Sequence, residues 1–180
     1  MTPTLHTNRL TLEALSAQHT NALQAFYATE RSTWVGGPSD KAGCAKLLKN
    51  AAKHWEEHGF GLFAISLNTE TDACGMTGVG DPEWFPEAEL LWALWDEKFE
   101  GRGIATEAAI AARDFYYRST GAKTVVSYIH PDNTASIAMA KRLGANVDNS
   151  AATPNNNNSI VYRHQTPEKL ALGKTPEAIQ

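Results

Sequence analysis

The stretch that most constrains this chain runs from Glu89 to Ala112. Leu90 to Trp95 is an apolar, aromatic run of strand length, and Asp96 to Gly103 is a polar turn ending in Gly-Arg-Gly. From Ile104 the alanine-rich pattern is that of a helix with a small first turn. A strand that feeds a glycine turn and then a helix presents unpaired backbone N–H groups and the positive end of a helix dipole. That combination suits a phosphate or pyrophosphate. Gly101 and Gly103 allow close approach to the backbone, and Arg102 adds charge. A plain strand-to-helix turn, using glycines only for their dihedrals, meets the same pattern.

Two common anion loops fail on the residues. A dinucleotide-binding loop needs a third glycine, where Thr106 stands, and an acidic ribose ligand near the position of Lys123. A Walker loop is hinted at by Gly173-Lys174-Thr175, but Glu168 occupies the place of its first glycine.

Three blocks in order resemble the GNAT N-acetyltransferases, in particular their RimJ/RimL-type branch. The acyl-CoA loop pattern Gln/Arg-x-x-Gly-x-Gly/Ala is read as Glu100-Gly101-Arg102-Gly103-Ile104-Ala105, followed by Thr106-Glu107-Ala108. A second block is His130-Pro131-Asp132-Asn133-Thr134-Ala135-Ser136, running into Lys141-Arg142-Leu143-Gly144. The opening Thr7-Asn8-Arg9-Leu10-Thr11-Leu12 also looks like this branch. The one departure in the loop is Glu100, where the family has Gln or Arg, so that side chain is not counted as a ligand.

The resemblance implies acetyl-CoA as co-substrate and a primary amine, on a protein N-terminus or a small molecule, as acceptor. It places the pantetheine arm on the backbone of Ala93, Leu94 and Trp95, with one N–H polarising the acetyl oxygen. It places the pyrophosphate on the N–H groups of Gly101, Arg102, Gly103, Ile104, Ala105 and Thr106. Asn133 matches the family's asparagine on the pantetheine arm; it is equally placed to cap the following helix. Ser136, with Lys141 or Arg142, falls where the branch contacts the cofactor. The tyrosine that many members place seven residues after the asparagine, as general acid, is Ala140 here. Ser136 is the substitute, directly or through water, unless the thiolate leaves unaided. Glu89, at the start of the central strand, is the base expected to deprotonate the acceptor, with Glu87 and His130 behind it. Trp34 and Trp84 are the candidate acceptor contacts, Trp34 being alternatively a lid on the core. The missing tyrosine keeps open a CoA-binding module of this fold with weak or no transfer.

Composition sets outer bounds. A length of 180 residues fits one domain, taken as 1–165, with 166–180 as a tail expected to be a short helix or disordered. A net charge of −4 speaks against nucleic acid and anionic membranes as partners. Cys44 and Cys74 are too few for a disulfide framework or a zinc site, so no metal is expected. The opening residues have no apolar leader and no apolar run is long enough to span a bilayer, which implies a soluble, cytoplasmic protein. The last hairpin offers edge strands for a homodimer.

Periodicity and punctuation predict strands at 9–14, 60–67, 73–80, 90–95, 123–129, 145–147 and 159–164. Helices are expected from Ala17 to Ala28 behind Ser16, from Asp40 to His58 closed by Gly59, from Ile104 to Thr120 closed by Gly121, and from Thr134 to Leu143. The order β-α-α-β-β-β-α-β-α-β-β makes an α/β fold of GNAT type, with a central mixed, mostly antiparallel sheet flanked by helices.

Overall fold

A computed structural model describes residues 2–172. The Gly173-Lys174-Thr175 triplet and the rest of the tail lie outside the described residues. One eight-stranded sheet organises the chain, in the order β1-β2-β3-β4-β5-β6-β8-β7. Its strands are β1 (Leu5–His6), β2 (Leu10–Ala14), β3 (Leu62–Leu67), β4 (Ala73–Gly80), β5 (Glu89–Leu94), β6 (Val126–Ile129), β7 (Asn146–Val147) and β8 (Ile160–Arg163). All neighbours are antiparallel except β5 and β6. The helices are α1 (Thr20–Tyr27), α2 (Lys41–His58), α3 (Ile104–Thr120), α4 (Thr134–Arg142) and α5 (Pro167–Leu172).

The chemical punctuation read from the sequence sits where helices start and stop. The Asp40 carboxylate accepts the Gly43 N–H at 2.8 Å at the head of α2, and Gly59, at φ 72°, closes it. Gly121, at φ 72°, closes α3 in the same way. The expected first helix divides: Ala17–His19 is a 3-10 turn, with the His19 ring accepting the Ser16 N–H at 3.1 Å, and α1 follows. The segment between the first two helices is itself ordered as a 3-10 helix, Glu30–Val35, stopped by Gly36 at φ 86°. Strand β1 was not foreseen, since two residues carry no readable period. Asn155 and Asn156 take positive φ in the last loop, a conformation asparagine tolerates better than most residues.

The two larger buried clusters among the described residues lie against the sheet. Ile104, Ala108, Ala109, Ala112 and Tyr116 line the inner face of α3 and pack on Leu10, Leu12, Phe63, Ile65 and Leu90. Small alanine side chains on this face permit close packing of the helix on the strands. On the opposite face Leu23, Phe26 and Tyr27 of α1 and Cys44, Leu48 and Ala51 of α2 pack on Ala64 and Met76. Each fully buried leucine contributes about 1.5–3 kcal/mol. Gly78 has a structural reason: a Cβ there would lie 2.2 Å from the Gly61 carbonyl oxygen. No helix among the described residues is long and apolar enough to cross a membrane.

Candidate active site

The site begins where the sheet comes apart. Strand β5 is paired along its whole length with β4, from Glu89 opposite Gly80 to Leu94 opposite Gly75. On its other edge it meets β6 at a single position, Glu89 opposite Val126. Beyond that point the strands diverge, and one side chain spans the start of the gap. The Ser127 hydroxyl donates to the Leu90 carbonyl at 2.6 Å.

Alternation along β5 determines which backbone groups face the opening. The Leu91 carbonyl accepts from the Thr77 hydroxyl of β4 at 2.8 Å, and the Trp95 N–H donates to the Cys74 carbonyl at 2.9 Å. Odd-numbered residues therefore face β4, while Trp92 and Leu94 present their N–H and C=O groups to the gap. The expected trio divides between the two edges. Leu94 faces the gap, its carbonyl 3.4 Å from Arg31 Nη2, while the Ala93 main chain faces the other way and the Trp95 N–H is used within the sheet. The Trp95 ring is buried against Phe26, at 6.3 Å between centroids.

From the gap the chain passes through a 3-10 turn, Glu97–Phe99, into the glycine loop. Gly101 and Gly103 have φ of 68° and 74°, so the left-handed conformation, and not only close approach, requires glycine at both. The N–H groups of Ile104, Ala105 and Thr106 open α3 and have no helical carbonyl to bond. The loop is braced from the N-terminal segment. Arg9 donates through Nε to Glu107 at 2.7 Å and through Nη1 to the Arg102 carbonyl at 2.9 Å. The Thr7 hydroxyl adds a bond of 2.6 Å to the same carboxylate. Burial opposes the Glu107 charge, and the bonds from Thr7 and Arg9 outweigh it, holding its pKa below the ordinary value. The Arg102 side chain lies by the Phe99 ring, 5.9 Å from its centroid, and does not line the cleft.

The cleft between these parts has a volume of about 1040 Å³ and is shared by β5, β6, the glycine loop, the 3-10 helix with Trp34, and the start of α4. Asn133 caps α4, its Oδ1 accepting the Ser136 N–H at 3.1 Å. The amide nitrogen is left over for a ligand, so capping and binding are compatible. The Ser136 hydroxyl accepts the Trp92 indole N–H at 3.3 Å, keeping its own proton to donate. Ala140 is wholly buried against Ile129, Ala145 and Tyr162. A tyrosine there would displace core instead of reaching the cleft.

Glu89 lies in the wall of the cleft, accepting the Tyr128 N–H at 3.2 Å. Burial raises its pKa from 4.5 to about 7, partly countered by that N–H. A carboxylate whose protonation changes near neutral pH has the property that a base requires. Glu87 is held by Arg163 in a two-bond pair at 2.7 Å, which removes it from the role of base. His130 lines the cleft and stacks on Trp34, with centroids 4.9 Å apart. Trp84 is 63% exposed and lies outside the cleft, against Phe85.

Behind Ser127 sits a buried histidine. His164 Nε2 is 3.0 Å from the Ser127 oxygen. Because the serine proton goes to Leu90, the histidine must be the donor. Burial, with Arg113 nearby, lowers the His164 pKa to about 3, which keeps the ring neutral and fixes this tautomer's role.

A parted strand pair leading to an electropositive helix start has the shape and charge to suit a long ligand with an anionic head. Comparison with known proteins gives it a family. Residues 9–146 match the acetyltransferase (GNAT) domain, and the chain belongs to that family. An acetyltransferase from Agrobacterium tumefaciens is 38% identical, with a TM-score of 0.85 over 91% of this chain and 95% of that one. The fold recurs at 13% identity in a ribosomal-protein-S5-alanine acetyltransferase from Vibrio fischeri, with a TM-score of 0.71 over 92% and 98%. It recurs too in the ribosomal L7/L12 alpha-N-protein acetyltransferase RimL, solved in complex with coenzyme A. That protein is 20% identical, with a TM-score of 0.69 over 90% of this chain and 96% of its own.

Proposed function

We propose that the chain is an acetyl-CoA-dependent N-acetyltransferase of the RimJ/RimL type. It transfers the acetyl group directly to a primary amine, on a protein N-terminus or a small molecule, within a ternary complex. The observation that carries this is the parting of β5 from β6 after one paired position. It leaves strand-edge N–H and C=O groups on the same path as the open N–H groups of α3.

Acetyl-CoA supplies the acyl group as a thioester; the rest falls to this chain's residues. Trp92 and Leu94 hold the pantetheine arm as an added strand, and an N–H of this edge stabilises charge developing on the acetyl oxygen. The N–H groups of Gly101 to Thr106 hold the pyrophosphate, and the Asn133 amide holds the arm near its other end. Glu89 takes a proton from the acceptor ammonium, directly or through one water. Ser136 relays a proton to the departing sulfur, giving its own and recovering one from the nitrogen that has attacked, directly or through water. Trp34 and His130 form an aromatic wall of the acceptor side. The buried free thiols of Cys44 and Cys74 suit a reducing, cytoplasmic setting.

The test is release of free thiol from acetyl-CoA on addition of a panel of amines: N-terminal peptides, aromatic and aliphatic monoamines, and polyamines. Amine-dependent release with at least one acceptor supports the proposal. Hydrolysis alone across the whole panel refutes it.

A further inference from the structure

A loop that receives pyrophosphate is best without a carboxylate, yet Glu100 stands directly before Gly101. Its charge is met from far away in the sequence. Arg31 Nη2 forms an ion pair with Glu100 Oε1 and reaches the Leu94 carbonyl at 3.4 Å. Arg31 therefore lies across the junction between the open edge of β5 and the glycine loop. Both partners are partly exposed, 34% and 57%, and surface pairs of this kind contribute little to stability. The value of the pair is in where it puts charge.

Glu107, on the helix side of the two glycines, is treated alike, since it is paired with Arg9 at 2.7 Å. With these two carboxylates matched, the unpaired N–H groups at the start of α3 leave the cleft side of the loop electropositive. Remove Arg31, and Glu100 faces the incoming anion inside a partly desolvated cleft, where repulsion between like charges is stronger than in water.

We propose that Arg31 is a positioning residue of the cofactor site: by pairing with Glu100 it cancels the carboxylate that would repel a diphosphate-bearing ligand from the glycine loop. It thereby does from the α1–α2 connection what an uncharged or basic residue at position 100 would do locally. The same 3-10 helix carries Trp34, so the segment that makes the cofactor site cationic also forms the acceptor wall. The inference rests on the acetyl-CoA reading above.

The test is calorimetric titration of coenzyme A into the wild type, Arg31→Ala, Glu100→Gln and the double variant, at low and at physiological salt. Arg31→Ala is expected to weaken binding about tenfold at low salt, with its melting temperature unchanged. The loss shrinks as salt screens the repulsion. Glu100→Gln alone binds at least as tightly as the wild type, and in its background the Arg31 substitution costs less than about twofold. Arg31→Lys, which keeps the charge, recovers most of the affinity. An Arg31→Ala variant with wild-type affinity overturns the proposal. So does an equal loss in both backgrounds, which would mean that Arg31 grips the ligand itself. If the wild type binds no coenzyme A, the acetyltransferase reading falls and this inference with it. If the wild type binds and the cycle fails, only this inference falls.

Discussion

Replacing Glu89 with glutamine separates what the carboxylate does for the reaction from what it costs the fold. Glutamine keeps an oxygen to accept the Tyr128 N–H, now at 3.2 Å, and cannot ionise. In the folded protein the Glu89 pKa is raised from 4.5 to about 7. Between those values the folded state binds more protons than the unfolded one, so stability falls as pH rises through this window and levels off above it. At ~1.4 kcal/mol per tenfold change in proton affinity, the full rise corresponds to about 3 kcal/mol. Glu89 lines an open cleft that admits water, so this is a ceiling, and roughly half is expected in solution. For a domain of this size 1 kcal/mol moves the melting temperature by about 2–4 °C. The glutamine variant should therefore gain about 3–6 °C on the wild type between pH 5 and pH 8.5, while its turnover collapses and coenzyme A binding persists. Thermal melts across that range, paired with thiol-release assays, read both effects. A melting-temperature difference that stays flat with pH would show that Glu89 is an ordinary solvated acid. Retained turnover would remove it as the base.

Two further substitutions test the walls of the site. Ser127→Ala leaves the Leu90 carbonyl without its donor at the point where β5 and β6 part, and should cost about 1–3 kcal/mol in urea denaturation. It should also raise the KM for acetyl-CoA, and unchanged stability would contradict the clamp role. Trp34→Ala removes a half-exposed ring stacked on His130, and should raise the acceptor KM about fivefold with little change in that for acetyl-CoA. A rise confined to acetyl-CoA would place Trp34 on the wrong side of the cleft.

The sequence was most informative where local chemistry decides the structure. Asp40, Gly59, Gly103 and Gly121 punctuate helices through side-chain caps and left-handed dihedrals, which are properties of single residues. The loop at Gly101 to Thr106 was legible for the same reason. What escaped was whatever depends on two distant segments meeting. Arg31 and Glu100 are 69 residues apart, and Arg9 and Glu107 are 98 apart, so nothing in either neighbourhood announces the pairs. Of the expected Ala93, Leu94 and Trp95 backbone set only Leu94 faces the gap, because main-chain direction alternates along a strand and its phase is set by pairing with β4, which periodicity does not fix. Trp84 looked like an acceptor contact by composition alone, and the Asp81–Pro86 loop carries it outward instead. Glu89 could be named from its position at the strand start. Its raised pKa needed the packing around it.

The central claim is that the gap beside β5 and the glycine loop together form one acetyl-CoA site. Calorimetric titration with acetyl-CoA, set beside ATP and beside a Gly103→Leu variant, tests it most directly. Gly103 holds φ 74°, and a Cβ there meets the Arg9 guanidinium at 3.4 Å, so leucine distorts the loop and crowds its brace. Micromolar binding of acetyl-CoA, little affinity for ATP, and loss of binding in a variant that still melts cooperatively are the expected result. No binding by the wild type at millimolar acetyl-CoA would contradict the account.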